Sequence, residues 1–386
     1  MRVCKRCIQP DTRPGIYFDD QGVCGGCLWE DEKKKIDWKS REKELQDIAE
    51  WAKKTTKSNY DCAIGVSGGK DSTKQALTAR DRLGLRCLLV NCEPDGITEI
   101  GRHNIENLKK LGFDVISIRP NPKVVRTLVK RDFYKYLNPV KITEYCLWAS
   151  TYIIADKFDI PLIIQGDNPG TMLGVSLTGV GTDDNAMKAD ELQTIASGWK
   201  EYVGVDGIEE KDLHLFHYDR KKLEEKGCRA IWLNCFLKEW THCNNAVFSK
   251  EHGMEWRPEN FEPEAVGTYD AYSALDGDLA PVNQLLKHKK FGFGFCVDQS
   301  CYDLRDGLLT RDKAIELVKK YYGKCSEVYI EKFCNYIGIS QKEFWSVVEK
   351  FRGPMWKKDE KGNWYNTYLD LLKRLSQLFF VMRYHD

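Results

Sequence analysis

Between residues 62 and 164 the apolar residues fall into short, nearly unbroken runs: Cys62-Ala63-Ile64-Gly65-Val66, Cys87-Leu88-Leu89-Val90, Val115-Ile116-Ser117-Ile118 and Leu162-Ile163-Ile164. Runs of this length without polar alternation are the pattern of strands buried on both faces. Between the first three lie residues 72–83 and 100–111, each about long enough to cross one face of a sheet as a helix, and a longer helical stretch, 123–158, precedes the fourth. Strand and helix in alternation predict an α/β fold with a doubly wound parallel sheet. Upstream, residues 33–57 place Ile36, Trp38, Leu45, Ile48, Ala49, Trp51 and Ala52 at mostly helical spacings within a charge-dense segment, predicting an amphipathic connecting helix with a solvated charged face. Downstream, helical patterns at 310–322, 328–337 and 341–351, the last with Ser340 as N-cap, predict a helix-rich C-terminal part.

Composition narrows the classes. With 386 residues the chain can bury a core and keep a cleft. Its 59 Lys plus Arg against 58 Asp plus Glu leave a net charge of +1, which offers no global field for nucleic acid and makes such a partner unexpected. A hydrophobic share of 42% excludes a disordered chain. No stretch approaches the roughly 18 apolar residues of a membrane helix, and Met1-Arg2-Val3-Cys4 does not begin a signal peptide, so a cytoplasmic protein without a membrane partner is expected. Fifteen cysteines in that compartment read as reduced thiols plus a metal site, with Cys62 and Cys87 as small core residues.

The first candidate chemistry follows the first strand, where Ser67-Gly68-Gly69-Lys70-Asp71-Ser72 turns into a helix. Open α/β sheets bind ligands at this place. Adjacent glycines let the backbone approach an anion, and the helix adds its positive end. Ser67 and Ser72 can donate to phosphate, Lys70 can neutralise it, and Asp71, an acceptor when ionised, suits Mg²⁺. The plainer alternative is a tight turn capped by Asp71 or Ser72. The second is the pair Cys4-x-x-Cys7 and Cys24-x-x-Cys27, whose four thiolates suit a closed tetrahedral Zn²⁺ site of structural kind. Two disulfides or an Fe–S cluster are the competing uses of four such cysteines.

The loop resembles the signature of the PP-loop ATP pyrophosphatases, which cleave ATP to AMP and pyrophosphate. That resemblance implies catalytic roles for Lys70 and Asp71, ATP and Mg²⁺ as ligands, and further nucleotide contacts at Asn91 and Cys92 for adenine and at Gly166, Asp167 and Asn168 near the phosphates; Asn168-Pro169-Gly170 also reads as an ordinary turn. The expected organisation is therefore a zinc ribbon at 1–32, a connecting helix at 33–58, a Rossmann-like PP-loop domain at 59–190 and a helix-rich substrate or partner region at 191–386. The loop from residue 167 to 184 is long enough to suspect function.

Over most of its length the sequence resembles the N-acetyl sugar amidotransferases of bacterial surface-polysaccharide and nonulosonic acid biosynthesis. The resemblance is carried by both cysteine pairs, Asp11-Thr12-Arg13-Pro14, the Ser67–Ser72 loop, Gln165-Gly166-Asp167-Asn168, Lys290-Phe291-Gly292-Phe293-Gly294 and Leu304-Arg305-Asp306-Gly307. It implies that an acetamido oxygen attacks the α-phosphorus of ATP and that ammonia then displaces AMP to give an acetamidino sugar, for lipopolysaccharide or another surface glycan. No glutaminase segment is recognisable, so separate glutaminase and cyclase-like proteins are the implied ammonia source. Tyr145, Trp148, Lys290, Tyr302 and Arg305 are the candidate sugar contacts; helical core positions or a solvated lysine face would explain them as well. His103, His242 and His252 lack a partner at triad or metal spacing, and no general base is nominated.

Two other classes compete. A tRNA thiolase can combine a cysteine ribbon with this loop, but near-neutral charge and the lack of another Cys-x-x-Cys weigh against it, although Cys296 and Cys301 are close in sequence. A zinc-organised, ATP-binding interaction module without turnover is the other.

Overall fold

The computed structural model describes residues 1–175, 184–192 and 194–372. An irregular segment carrying the first two cysteines leads into α1 (Gly25–Lys33) and α2 (Trp38–Thr55). Asp37 caps α2 by accepting from the Ser40 N–H, and the helix buries Leu45, Ile48, Ala49 and Ala52 along one stripe, as the apolar spacing predicts.

Alternation follows: β1 (Cys62–Gly65), α3 (Lys70–Leu77), β2 (Cys87–Cys92), α4 (Glu99–Lys110), β3 (Asp114–Ile118), α5 (Pro122–Tyr136), α6 (Lys141–Lys157), β4 (Leu162–Gln165), α7 (Pro169–Leu173), α8 (Arg220–Glu225) and β5 (Arg229–Trp232). The sheet runs β3-β2-β1-β4-β5 with every neighbouring pair parallel. The chain leaves β1 toward one edge and later returns to its other side at β4, so β1 ends at the topological switch point where such sheets bind ligands.

The structure departs from the expected pattern in two places. The helical stretch at 123–158 is two helices, broken where Leu137 takes a left-handed conformation (φ 49°) just before Asn138-Pro139. A fifth strand, β5, comes from the segment expected to be helix-rich; four residues headed by an arginine are too short a pattern to register as a strand.

Beyond the sheet come α9 (His242–Glu251), α10 (Pro263–Val266), α11 (Leu279–Phe291), α12 (Phe295–Arg305), α13 (Arg311–Tyr321), α14 (Glu327–Ile337), α15 (Gln341–Lys350) and an antiparallel pair, β6 (Trp356–Lys358) and β7 (Trp364–Asn366). The last three helices lie where the periodicity predicts them, and Ser340 caps α15 by accepting from the Glu343 N–H. Phe133 of α5 stacks on Phe344 of α15 at 5.4 Å and meets Phe333 of α14 at 5.2 Å, welding these helices to the sheet's core. A second core forms around the four N-terminal cysteines with Phe293, Val297, Ile315 and Tyr368. Among the described residues no helix is long and apolar enough to cross a membrane.

Candidate functional site

The six-residue loop sits between β1 and α3 with Gly69 as the helix N-cap. Gly68 has φ +76°, and a Cβ there would lie 2.9 Å from the Asn104 Cβ of α4, so both conformation and space require glycine. The Ser67 hydroxyl accepts from the Gly69 N–H (3.3 Å), and the Ser72 hydroxyl donates to the Gly69 carbonyl (3.1 Å). Helix α9 supports the loop from behind: Ser249 Oγ donates to the Lys70 carbonyl (2.7 Å), and Asn245 Nδ2 donates to Asp71 Oδ1 (2.8 Å). Lys70 is buried and pairs with Asp71.

The loop forms one wall of a cleft of about 300 Å³. Gly101 and Asn104 of α4 continue that wall, and the facing wall is Asp270 to Asp276 together with Phe295, Asp298, Gln299 and Tyr302 of α12. His242 of α9 closes one side, its ring stacked on that of Tyr302 with centroids 3.9 Å apart. Burial and then the Lys70 charge push the His242 imidazole down to about 3, so it stands neutral, and its Nε2 is shut off from solvent with no hydrogen-bond partner among the described residues.

Two carboxylates flank the loop with opposite tendencies. Burial raises Asp71, but the Lys70 charge, with the Lys70 and Asn245 hydrogen bonds, outweighs it and holds the carboxyl below its ordinary range. Asp167, after β4, is pushed up to about 7 by burial and then by the charge of Asp71, while Trp240 Nε1 donates to it. Such a pair of oxygen donors beside a phosphate nest suits Mg²⁺.

The sulfurs of Cys4, Cys7, Cys24 and Cys27 are buried and lie within 4.8 Å of one another, the one such potential metal-binding group among the described residues. Cys7 and Cys24 are 3.6 Å apart and Cys4 and Cys27 3.9 Å, bracketing the edge of about 3.8 Å that a tetrahedron of roughly 2.3 Å Zn–S bonds would have. Disulfide sulfurs would lie at about 2.05 Å. The cluster is clasped by the C-terminal part. The Arg311 guanidinium donates to the carbonyls of Cys4 (3.0 Å), Lys5 (3.1 Å) and Cys7, and the Tyr368 hydroxyl donates to that of Ile8 (2.5 Å).

The other expected residues scatter. Asn91 is buried, with Nδ2 donating to the Val66 carbonyl (2.9 Å), and Cys92 lies 3.1 Å from Cys146 Sγ; neither lines the cleft. Gly166 packs so closely on Gln75 that a Cβ would meet its Nε2 at 2.1 Å, and fully buried Asn168 caps α7 through its side-chain oxygen. Of the candidate sugar contacts, Tyr302 alone lines the cleft. Tyr145 is core, donating to the Ile195 carbonyl (2.8 Å); Trp148 packs edge-on against Trp232; Lys290 donates to the Tyr136 carbonyl (2.6 Å). Arg305 donates to the Met172 carbonyl (2.7 Å) behind the cleft and lies against Gly26 of the cysteine module. Residues 176–183 of the suspected loop lie outside the described residues. His242, read as an ordinary histidine, and the facing wall from Asp270 to Gln299 are the residues that the sequence did not single out.

Residues 266–372 match a family model described as "LPS biosynthesis protein WbpG-like, C-terminal domain". All of the facing wall, from Asp270 to Tyr302, falls inside that match. No curated protein matches the chain. Among solved structures, an NMN synthetase from Francisella tularensis aligns at 15% identity with a TM-score of 0.28, over 58% of this chain and 100% of that one. A likeness that slight carries no argument.

Proposed function

We propose that the chain is an ATP-dependent amidotransferase of lipopolysaccharide or related surface-glycan synthesis, which cleaves ATP to AMP and pyrophosphate in this cleft and converts an N-acetyl sugar to its acetamidino form. The observation that carries this is one juxtaposition. A glycine nest at the switch point of a parallel sheet faces a wall contributed by a lipopolysaccharide-biosynthesis domain.

In this reading Gly68, Gly69 and the N-terminus of α3 receive the departing pyrophosphate, and Ser67 and Ser72 donate to it. Lys70 exchanges its partner Asp71 for phosphate oxygens, freeing that carboxylate. Asp71 and Asp167 would hold Mg²⁺, which supplies charge neutralisation at the phosphates when bound. The polar facing wall, with Tyr272, Asp298 and Gln299, offers donors and acceptors for sugar hydroxyls, and Tyr302 offers a ring face. The acetamido oxygen attacks the α-phosphorus and pyrophosphate leaves; ammonia then adds to the imidate carbon, and AMP departs with the C–O bond. The ammonia is expected from separate glutaminase and cyclase-like partners. The four-cysteine cluster suits a structural Zn²⁺, since all four positions would be filled by sulfur.

A tRNA thiolase finds little support in the thiols near the cleft. Cys296 and Cys301 are buried, and burial pushes the Cys296 thiol up to about 12 and raises that of Cys301 as well, so neither is a ready sulfur carrier.

The deciding test measures AMP and pyrophosphate release from Mg-ATP and ammonium, with nucleotide-linked N-acetyl sugars compared against bulk tRNA and product masses read alongside. Sugar-dependent AMP with oxygen exchanged for an imino group is expected, and Asp71→Asn should abolish it without unfolding the protein. Turnover stimulated by tRNA alone would overturn the sugar assignment.

A further inference from the structure

The segment from Asp270 to Asp278 is laid across the carboxyl end of β2 as a strap. Ile97 and Gly277 form an antiparallel bridge, the Thr98 N–H donates to the Asp276 carbonyl (3.1 Å), and the Asp278 N–H donates to the Gly96 carbonyl (3.1 Å). Thr98 Oγ1 donates to the Leu275 carbonyl as well. Helix α4 gives way beneath the strap: a Cβ on Gly101 would lie 2.8 Å from the Asp276 Cα, so glycine lets the two backbones touch. Asp276 is thereby fixed over the first turn of α4, lining the same cavity as the phosphate loop.

Among the described residues no other side chain engages the Asp276 carboxylate. The one donor acting on it among the described residues is its own backbone N–H, whereas Asp270 accepts from Thr268 Oγ1 (2.7 Å) and the Ser273 N–H (2.7 Å), and Asp298 pairs with Arg13. Burial raises the Asp276 carboxyl above its ordinary range, outweighing the hydrogen bond from its own backbone N–H. Its charge is felt at Cys92, the last residue of β2.

We propose that Asp276 receives the ribose hydroxyls of the nucleotide, so that the strap supplies from a distant part of the chain the acidic residue that reads the sugar of ATP. The inference rests on the ATP reading above. With pyrophosphate held after β1, the adjoining part of the cleft lies over the start of α4, beside Asp276, where the ribose would follow. Its 2′ and 3′ hydroxyls are two donors spaced for one carboxylate, and acidic residues near the end of the second strand serve this purpose in dinucleotide-binding folds.

The test is calorimetric binding of Mg-ATP, 2′-deoxy-ATP, 3′-deoxy-ATP and inosine triphosphate to the full chain and to Asp276→Asn, with thermal unfolding to check the variant's fold. The native protein should bind at least one deoxy analogue roughly tenfold to a hundredfold more weakly than ATP, the range of a hydrogen bond to a charged group. The variant should lose that factor with ATP and nothing further with the analogue. Equal binding of ATP and both deoxy analogues by the native chain would overturn the assignment, as would a variant that still discriminates between them. Loss in the variant of discrimination against inosine triphosphate alone would move Asp276 to the base and overturn it too. A native chain that binds no nucleotide would overturn the ATP reading itself. If the variant does not fold, the native analogue series still decides.

Discussion

Arg13, in the cysteine module, closes an ion pair on Asp298, whose carboxylate lines the cleft opposite the phosphate loop. The guanidinium also lies over the Phe293 ring at 4.0 Å, and both partners are largely shielded from water. The module is therefore built into the cleft wall, and a change at Arg13 reaches the cleft through Asp298.

Replacing Arg13 with alanine should cost about 1–3 kcal/mol, because it leaves a partly buried carboxylate with only the more distant Lys287, at 3.9 Å, as its cationic partner. Arg13→Lys should recover only part, since the planar stack is lost. Chemical denaturation measures the cost. A double-mutant cycle with Asp298→Asn should show coupling of roughly 1–3 kcal/mol.

Gly68→Ala forces a left-handed alanine against Asn104. The expected loss is roughly 1–3 kcal/mol, read from the denaturation midpoint. ATP affinity should fall as well, and Gly69→Ala, whose Cβ would meet only Ser67 Oγ at 3.2 Å, should be the milder change in stability.

Elemental analysis should find one zinc per chain. Stripping it with a chelator should cost several kcal/mol of apparent stability, since four buried thiols would lose the ion that organises them. Far-UV circular dichroism should retain most of the helix signal, because the sheet and α5, α14 and α15 share a separate core. A metal-free protein with unchanged thermal stability would contradict the structural role.

Acid titration offers a fourth check. Burial pushes the Asp132 carboxyl up to about 6, against the Tyr202 hydroxyl that donates to it at 2.7 Å and the neighbouring Arg131. The folded value lies above the unfolded one of about 3.9, so the folded state holds more protons between the two. This contribution to stability is fully present below about pH 4 and lost as pH rises through 6, a change of roughly 2–3 kcal/mol. Asp132→Asn should flatten the stability profile over that window.

The sheet was legible because strands buried on both faces leave unbroken apolar runs, and the phosphate loop because its glycines and polar residues are contiguous. The cleft's second wall was not. Asp270 and Asp276 reach the loop on a strap bridged to Ile97, and Gln299 on α12, and such long-range placements leave no local period in the sequence. Tyr145 and Trp148 misled for the converse reason: an aromatic pair at helical spacing reads alike whether it faces a ligand or the core, and here Ile195 and Trp232 take them. β5 was hidden by its brevity and its leading arginine.

The bond from the Tyr368 hydroxyl to the Ile8 carbonyl joins residues 360 positions apart. At roughly 5–20 residues per second, a ribosome needs roughly 20–70 s to travel between them. The loop after β1 lacks its opposite wall until residue 302 has been made, and the nascent cysteine knuckles lack Arg311 and then Tyr368 until residues 311 and 368 follow. The cleft can therefore close before the cysteine module gains its full C-terminal clasp. The four thiols are together from residue 27 onward, so an ion bound there could hold the knuckles long before that clasp is made.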